Sequence, residues 1–282
     1  MIQRLITLAP MTALLIFGAT GNAFAGGRSE PWQMGFQPAG SPVMERIIEF
    51  HNLLLVVEVS IVALVLGLMC YIIVRFNAKA NPVPSKTTHN TLLEVVWTGV
   101  PLLILIVVAV PSLKLLYYSD RVENTEMTLK VTGNQWFWSY TYPDHGGFEF
   151  DSVIVPDDEL KAGQPRLLTV DNEVVLPAET NIRLLFTSAD VIHNWGVPSL
   201  GLKLDTVAGR ISETWVRINK KGNYYGMCSE LCGVNHGFMP IHIKAVSKAD
   251  FAQWVETAKK KFARTSGPAP VRVAETRARE RG

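Results

Sequence analysis

The sequence predicts a two-helix transmembrane hairpin followed by an all-β domain. Three observations carry this reading: two long apolar runs joined by a short basic connection, a change of hydrophobic period after Tyr118, and a composition skewed away from charge. Of 282 residues, 48% are hydrophobic and only 18% charged, against about 25% charged in an ordinary soluble domain. That balance excludes a disordered chain, a nucleic-acid-binding tail protein and an ordinary soluble enzyme of this size. Three cysteines are too few for a disulfide scaffold.

Residues 1–25 read as a secretory signal: Arg4 gives the positive start, Leu5 to Phe17 the apolar stretch, and Ala23-Phe24-Ala25 the small-residue cleavage site. An exported N-terminal segment follows over 26–47, and its first part, with Pro31, Pro38, Gly40 and Pro42, reads as a loop. In Leu53–Val74 only Glu58 and Ser60 are clearly polar, and the run is long enough for the roughly 30 Å hydrocarbon core. The first transmembrane helix is therefore set at 48–76. Leu92–Val110 is the core of a second, set at 91–118, in which Pro101 is tolerable because neighbouring groups satisfy the freed carbonyl. Between them, Arg75, Lys79 and Lys86 occur without any acid, so the 77–90 loop is expected on the cytoplasmic side and both outer ends outside.

After Tyr118 the pattern becomes short β-type runs: Met127-Leu129-Val131, Leu167 to Val170, Ile182 to Phe186, Trp215 to Ile218 and Ile241-Ile243. Gly, Pro, Asn and Asp separate them, which predicts a sandwich or barrel over 119–262. A closing helix is expected at Ala249–Phe262, with Asp250 near its start and Lys259-Lys260-Lys261 near its end, as the helix dipole prefers. The tail, 263–282, is rich in Arg, Pro and Glu and reads as basic and disordered. Asp120–Asp250 holds 17 acids and 12 bases, a net of −5. An acidic body of this kind favours a cationic partner.

The densest chemistry lies in Gly226-Met227-Cys228-Ser229-Glu230-Leu231-Cys232-Gly233-Val234-Asn235-His236-Gly237-Phe238-Met239. Two thiols, an imidazole and a thioether form a soft donor set suited to copper. A second imidazole, His193, follows another β-type stretch. A mononuclear blue-copper site would have one Cys too many, and structural zinc has no use for the thioether. Two thiolates bridging two copper ions would use every donor, with a carbonyl between the cysteines available to one ion. For the C-x3-C alone, a disulfide or a zinc knuckle is the competing reading; the H-x2-M that follows and the distant His weigh against both.

His193, the C-S-E-L-C-G-x-x-H-x-x-M string and the membrane hairpin together resemble subunit II of haem–copper cytochrome c oxidase over about residues 36–258. The resemblance implies a cupredoxin-like Greek-key barrel carrying a dinuclear copper (CuA) centre. It further implies that Cys228 and Cys232 bridge the ions, that His193 and Met239 complete one, and that His236 and the Glu230 carbonyl complete the other. The Glu230 side chain would reach a magnesium or manganese ion shared with subunit I. Met227 stands where the family commonly has Gln, which bears on redox tuning rather than ligation.

Within Gly133–Tyr142, strand alternation puts Trp138 and Tyr140 in the core. The resemblance makes Trp136 the exposed contact through which cytochrome c delivers electrons. Glu149, Asp151, Asp171 and Asp190, chosen partly by similarity, are the acids expected to steer that cationic partner. The Thr88–Thr98 context resembles the one in which a Glu, here Glu94, lies at the mouth of a proton-uptake path of subunit I. Glu58 matches no family motif and is expected to face subunit I or the headgroups. His51, His89, His145 and His242 read as surface or interfacial, His242 because it alternates with Ile241 and Ile243.

The reading is therefore a membrane-anchored electron-transfer subunit of a proton-pumping oxidase in the bacterial inner membrane. Its copper domain would lie in the periplasm, and its partners would be subunit I, the other oxidase subunits, cytochrome c and the lipid, with no nucleic acid. Two rivals share features with it. A quinol oxidase subunit II lacks the copper ligands; a membrane-anchored copper chaperone needs alternating helices and strands and has no use for Met239.

Overall fold

A computed structural model describes residues 27–120 and 124–263. The expected signal (1–25) and nearly all of the basic tail lie outside the described residues. Two helices, α1 (Pro42–Arg75) and α2 (Thr91–Asp120), precede ten strands and a last helix. Both are long and apolar enough to cross a membrane.

Helix α1 starts at Pro42 because Ser41 caps it: the Ser41 hydroxyl accepts from the Met44 N–H at 3.0 Å and donates to the Leu200 carbonyl at 2.7 Å. Its 34 residues run for roughly 51 Å, well beyond the hydrocarbon thickness. The surplus lies at its N-terminal end, where Val43 and Met44 are buried. Here Arg46 lies over the Tyr118 ring at 3.5 Å, and Asn219 donates to Glu45 at 3.0 Å. The Ser41–Leu200 and Asn219–Glu45 bonds tie the hairpin to the β domain, while the Arg46–Tyr118 contact joins α1 to α2. Helix α2 continues through Pro101 and Pro111.

The β domain is a sandwich of two five-stranded sheets. One contains β1 (Met127–Asn134), β2 (Phe137–Tyr142), β3 (Phe148–Ser152), β5 (Asn181–Ser188) and β8 (Ser212–Arg217), in the order β3-β2-β1-β5-β8. The other contains β4 (Val174–Pro177), β6 (His193–Val197), β7 (Leu202–Thr206), β9 (Gly222–Cys228) and β10 (Pro240–Val246), in the order β4-β10-β9-β6-β7. The β1–β5 and β4–β10 pairs are parallel and the rest antiparallel. Parallel neighbours cannot be joined by a hairpin, so the chain crosses between sheets.

Alternation along β1 and β5 buries Met127, Leu129 and Val131 and then Ile182, Leu184 and Phe186. They meet Trp138, Tyr140, Trp195, Ile241 and Ile243 in one core. Helix α3 (Lys248–Lys261) closes one end with Phe251, Val255 and Ala258, an i, i+4, i+7 stripe. Ser247 caps it, and Asp250 and three lysines complement its dipole.

Two expectations need correction. Leu167–Val170 is not a strand: Pro165 opens a turn whose carbonyl accepts from Leu168 and Thr169, Leu167 takes φ +62°, and only Val170 bridges to Ile154. His242 does leave the core face, but it is not at the surface. The Tyr225 ring stacks on it at 4.5 Å and only 6% of the residue is exposed. His145 is half-buried, its ring set against Phe251 at 5.2 Å.

Candidate metal centre

Strands β9 and β10 are antiparallel, with Met227 opposite Pro240, and the loop 229–239 joins them. On the other side of β9, Trp195 of β6 pairs with Cys228. His193, two residues before Trp195, is thereby carried to the same end of the sandwich. This approach depends on glycine. A Cβ on Gly226 would sit 2.0 Å from the Gly196 carbonyl oxygen, and one on Gly196 would sit 2.6 Å from the Ser229 hydroxyl.

The donors converge on two sulfurs. Cys228 Sγ and Cys232 Sγ are 3.8 Å apart and both residues are buried. That separation is far longer than the roughly 2.05 Å of a disulfide. One metal ion can still touch both sulfurs at about 2.3 Å each. His236 Nδ1 lies 3.6 Å and Met239 Sδ 3.5 Å from Cys232 Sγ, and the Glu230 carbonyl oxygen lies 3.3 Å from Cys228 Sγ. Ligand atoms of His193, Cys228 and Cys232 fall within 4.8 Å of one another. His193 is fully buried, and its Nδ1 has no hydrogen-bond partner. A buried polar atom without a partner is costly, and a metal at this position would satisfy it.

The electrostatics agree. Burial alone would raise the Cys228 thiol, but contacts with His193, with the backbone of Asn194 and Glu230, and with His236 outweigh it and bring it to about 6. Cys232 is pushed up to about 12, first by burial and then by the charge on Cys228. One thiolate forms readily while the second resists, because two buried negative charges so close repel. A cation between them removes that conflict. The donor set of two thiols, two imidazoles, a thioether and a carbonyl fits copper.

Three neighbours hold this arrangement. Trp138, fully buried, donates from Nε1 to the Met239 carbonyl at 3.2 Å and sets its ring edge-on to His193. Gln135 Nε2 and Trp136 Nε1 both donate to the Cys232 carbonyl, at 2.8 and 3.1 Å. Trp136 is half-buried, and Gly233, at φ +120°, passes under its ring where a Cβ would come within 2.9 Å. Neither the Gln135 bond nor the Trp138 bond was anticipated; both join residues about a hundred positions apart, and nothing local signals them.

The acids separate into two groups. Glu149 and Asp151 share one face of β3 and accept from Thr141 and Ser139 on β2, each at 2.7 Å. Asp171 accepts from the Val153 N–H at 2.8 Å. These three are exposed. Asp190 instead binds inward: Oδ1 accepts from His193 Nε2 at 2.8 Å and Oδ2 from the Gln135 N–H at 2.7 Å. Burial would raise its carboxyl, but the bonds from His193, Gln135 and Val191 prevail and hold it below the usual range. At the far end of the hairpin, Glu94 lies in the first turn of α2, where it accepts from the Asn90 N–H at 3.3 Å.

Sequence profiles match both halves of the chain: "Cytochrome C oxidase subunit II, transmembrane domain" over residues 29–115 and "Cytochrome C oxidase subunit II, periplasmic domain" over 127–246. The chain belongs to the cytochrome c oxidase subunit II family. It is 53% identical over 230 residues to a probable cytochrome c oxidase subunit 2 of Rickettsia bellii (strain RML369-C), covering 82% of this chain and 86% of that protein. With cytochrome c oxidase subunit 2 of Phytophthora megasperma it shares 48% identity over 233 residues, 81% of this chain and 88% of that one. Among solved structures, the periplasmic domain of subunit II (CoxB) of Bradyrhizobium japonicum is 54% identical, covers 50% of this chain and 99% of that domain, and superposes with a TM-score of 0.48. As a family member the chain is a membrane subunit of a haem–copper terminal oxidase, and its β sandwich is the cupredoxin-like domain of subunit II.

Proposed function

We propose that this chain accepts electrons from cytochrome c at a dinuclear copper centre and passes them to haem in subunit I. There oxygen is reduced to water and protons are pumped; no bond chemistry takes place on this chain. The observation that carries this reading is the convergence of His193, Cys228, Glu230, Cys232, His236 and Met239 on two sulfurs held 3.8 Å apart. Copper bound there supplies a one-electron carrier shared over two ions.

The chain's own residues do the rest. Cys228, Cys232, His193, His236, Met239 and the Glu230 carbonyl would hold the copper, the two cysteines as thiolates. Trp136 offers an aromatic edge to a partner while its indole N–H bonds to the Cys232 carbonyl, a short connection from the protein surface to a residue that would hold the copper. Glu149, Asp151 and Asp171 give the neighbouring face a negative field that steers a lysine-rich cytochrome c. The exposed Glu230 side chain is assigned to a magnesium or manganese ion at the boundary with subunit I. Glu94 is assigned to the opening of the proton-uptake path on the cytoplasmic side, with the β domain in the periplasm of a bacterial inner membrane.

Stopped-flow reduction of the assembled oxidase by reduced cytochrome c tests this. Trp136→Ala should slow copper reduction at least tenfold with copper content unchanged, because the Gln135 side chain still donates to the Cys232 carbonyl, and the wild-type rate should fall steeply with added salt. An unaltered rate in Trp136→Ala, or a salt-independent wild type, contradicts the reading.

A further inference from the structure

Asp190 is the one acid of the four whose carboxylate turns toward the donors. Its side chain remains about one-third exposed, yet both oxygens are committed. Oδ1 accepts from His193 Nε2 at 2.8 Å and from its neighbour, the Val191 N–H, at 2.7 Å, with the Ser188 hydroxyl at 3.4 Å. Oδ2 accepts from the Gln135 N–H at 2.7 Å. Ser188 fixes the turn itself, donating to the Val191 carbonyl and accepting from the Asp190 N–H at 3.2 Å.

The consequence for His193 follows from its two nitrogens. With Nε2 donating to Asp190, the neutral ring must carry its proton there, which leaves the unpartnered Nδ1 as a lone-pair donor. A carboxylate behind an imidazole also raises the basicity of the ligating nitrogen. The second oxygen does something different. By holding the Gln135 N–H it anchors the turn on which Gln135 and Trp136 bond to the Cys232 carbonyl. One carboxylate thus ties a donor on β6 to the turn between β1 and β2.

We infer that Asp190 is a positioning residue of the metal centre, setting the tautomer, orientation and basicity of His193 and locking the Gln135–Trp136 turn onto the Cys232 carbonyl. This rests on the copper reading above. It gives Asp190 a task that Glu149, Asp151 and Asp171 do not share, although all four are exposed acids.

The test uses the full-length chain in the purified oxidase, with Asp190→Asn, Asp190→Ala and, as a charge-matched comparison, Asp171→Asn. Asp190→Ala should weaken copper retention against a chelator by about 10–100-fold, the usual cost of losing such a partner. Asp190→Asn keeps an acceptor but not the charge, so it should hold copper and raise the reduction potential, because the oxidised state gains most from a basic ligand. A tenfold preferential weakening of that state corresponds to about 59 mV for a one-electron couple. Both variants should change the copper hyperfine pattern and speed amide exchange at Gln135, and Asp171→Asn should do neither. Wild-type potential, spectrum and Gln135 exchange in Asp190→Asn and Asp190→Ala would overturn the inference while leaving the copper reading intact. A wild-type chain without copper would remove that reading itself.

Discussion

Gly133 lies on β1 with its Cα facing the His193 ring, and adding one methyl there tests whether the donor geometry is as tight as described. A Cβ at Gly133 would fall 2.7 Å from His193 Cδ2, 3.0 Å from His193 Cγ and 2.8 Å from Thr206 Oγ1. Ordinary carbon contacts are about 3.5–4.0 Å, so the ring must move by about 1 Å or β1 must bend. Gly133 is not among the glycines with positive φ, so the clash is purely one of space. Overpacking of this kind costs about 1–3 kcal/mol. Replacing Gly also removes freedom from the unfolded chain, which gives back about 0.4–1 kcal/mol, and the net stays destabilising.

At about 2–4 °C per kcal/mol for a domain near this size, Gly133→Ala should melt several degrees below wild type. It should also lose or broaden the copper signal, because His193 is what moves. Gly237→Ala is the control: it lies in the ligand loop, its Cβ would meet nothing within 4 Å, and it should stay within about 0.5 kcal/mol of wild type. Thermal unfolding followed by circular dichroism, with electron paramagnetic resonance on the same samples, reads both effects. A Gly133→Ala chain with wild-type melting and wild-type copper signal would refute the reasoning.

Two further outcomes follow from groups away from the copper donors. Burial holds the His242 imidazole below its ordinary value, with Glu173 opposing and Lys244 adding to the effect. The unfolded chain therefore takes up a proton below about pH 6.5 that the folded chain resists. Stability should fall as pH drops from there toward the folded value, by at most about 1.4 kcal/mol per pH unit, and His242→Val should flatten that slope in urea titrations at pH 5 and 7. Glu94→Gln keeps an oxygen for the Asn90 N–H, so α2 should be preserved while steady-state turnover slows and copper reduction by cytochrome c stays unchanged; a normal turnover would remove Glu94 from the proton path.

What the sequence revealed followed physical range. Features written in local chemistry were readable: the apolar runs that became α1 and α2, the alternation of β1 and β5, and the donor types packed between Cys228 and Met239. Ser41 was missed as the cap that starts α1 because the expected start followed the hydrocarbon span, whereas the helix extends past it to dock Val43 and Met44. His242 was misplaced because alternation says which face a side chain takes, not whether Tyr225 then covers it. The inward turn of Asp190 was invisible for a related reason: an acid before a β-type stretch looks the same whether it faces water or a histidine.

The most direct test of the account is metal analysis with electron paramagnetic resonance on the full-length chain purified without added reductant. The expected result is two coppers per chain and a seven-line hyperfine pattern from one unpaired electron shared equally by both. A four-line pattern from a single copper, zinc in place of copper, or Cys228 and Cys232 joined as a cystine in the metal-free chain would contradict it.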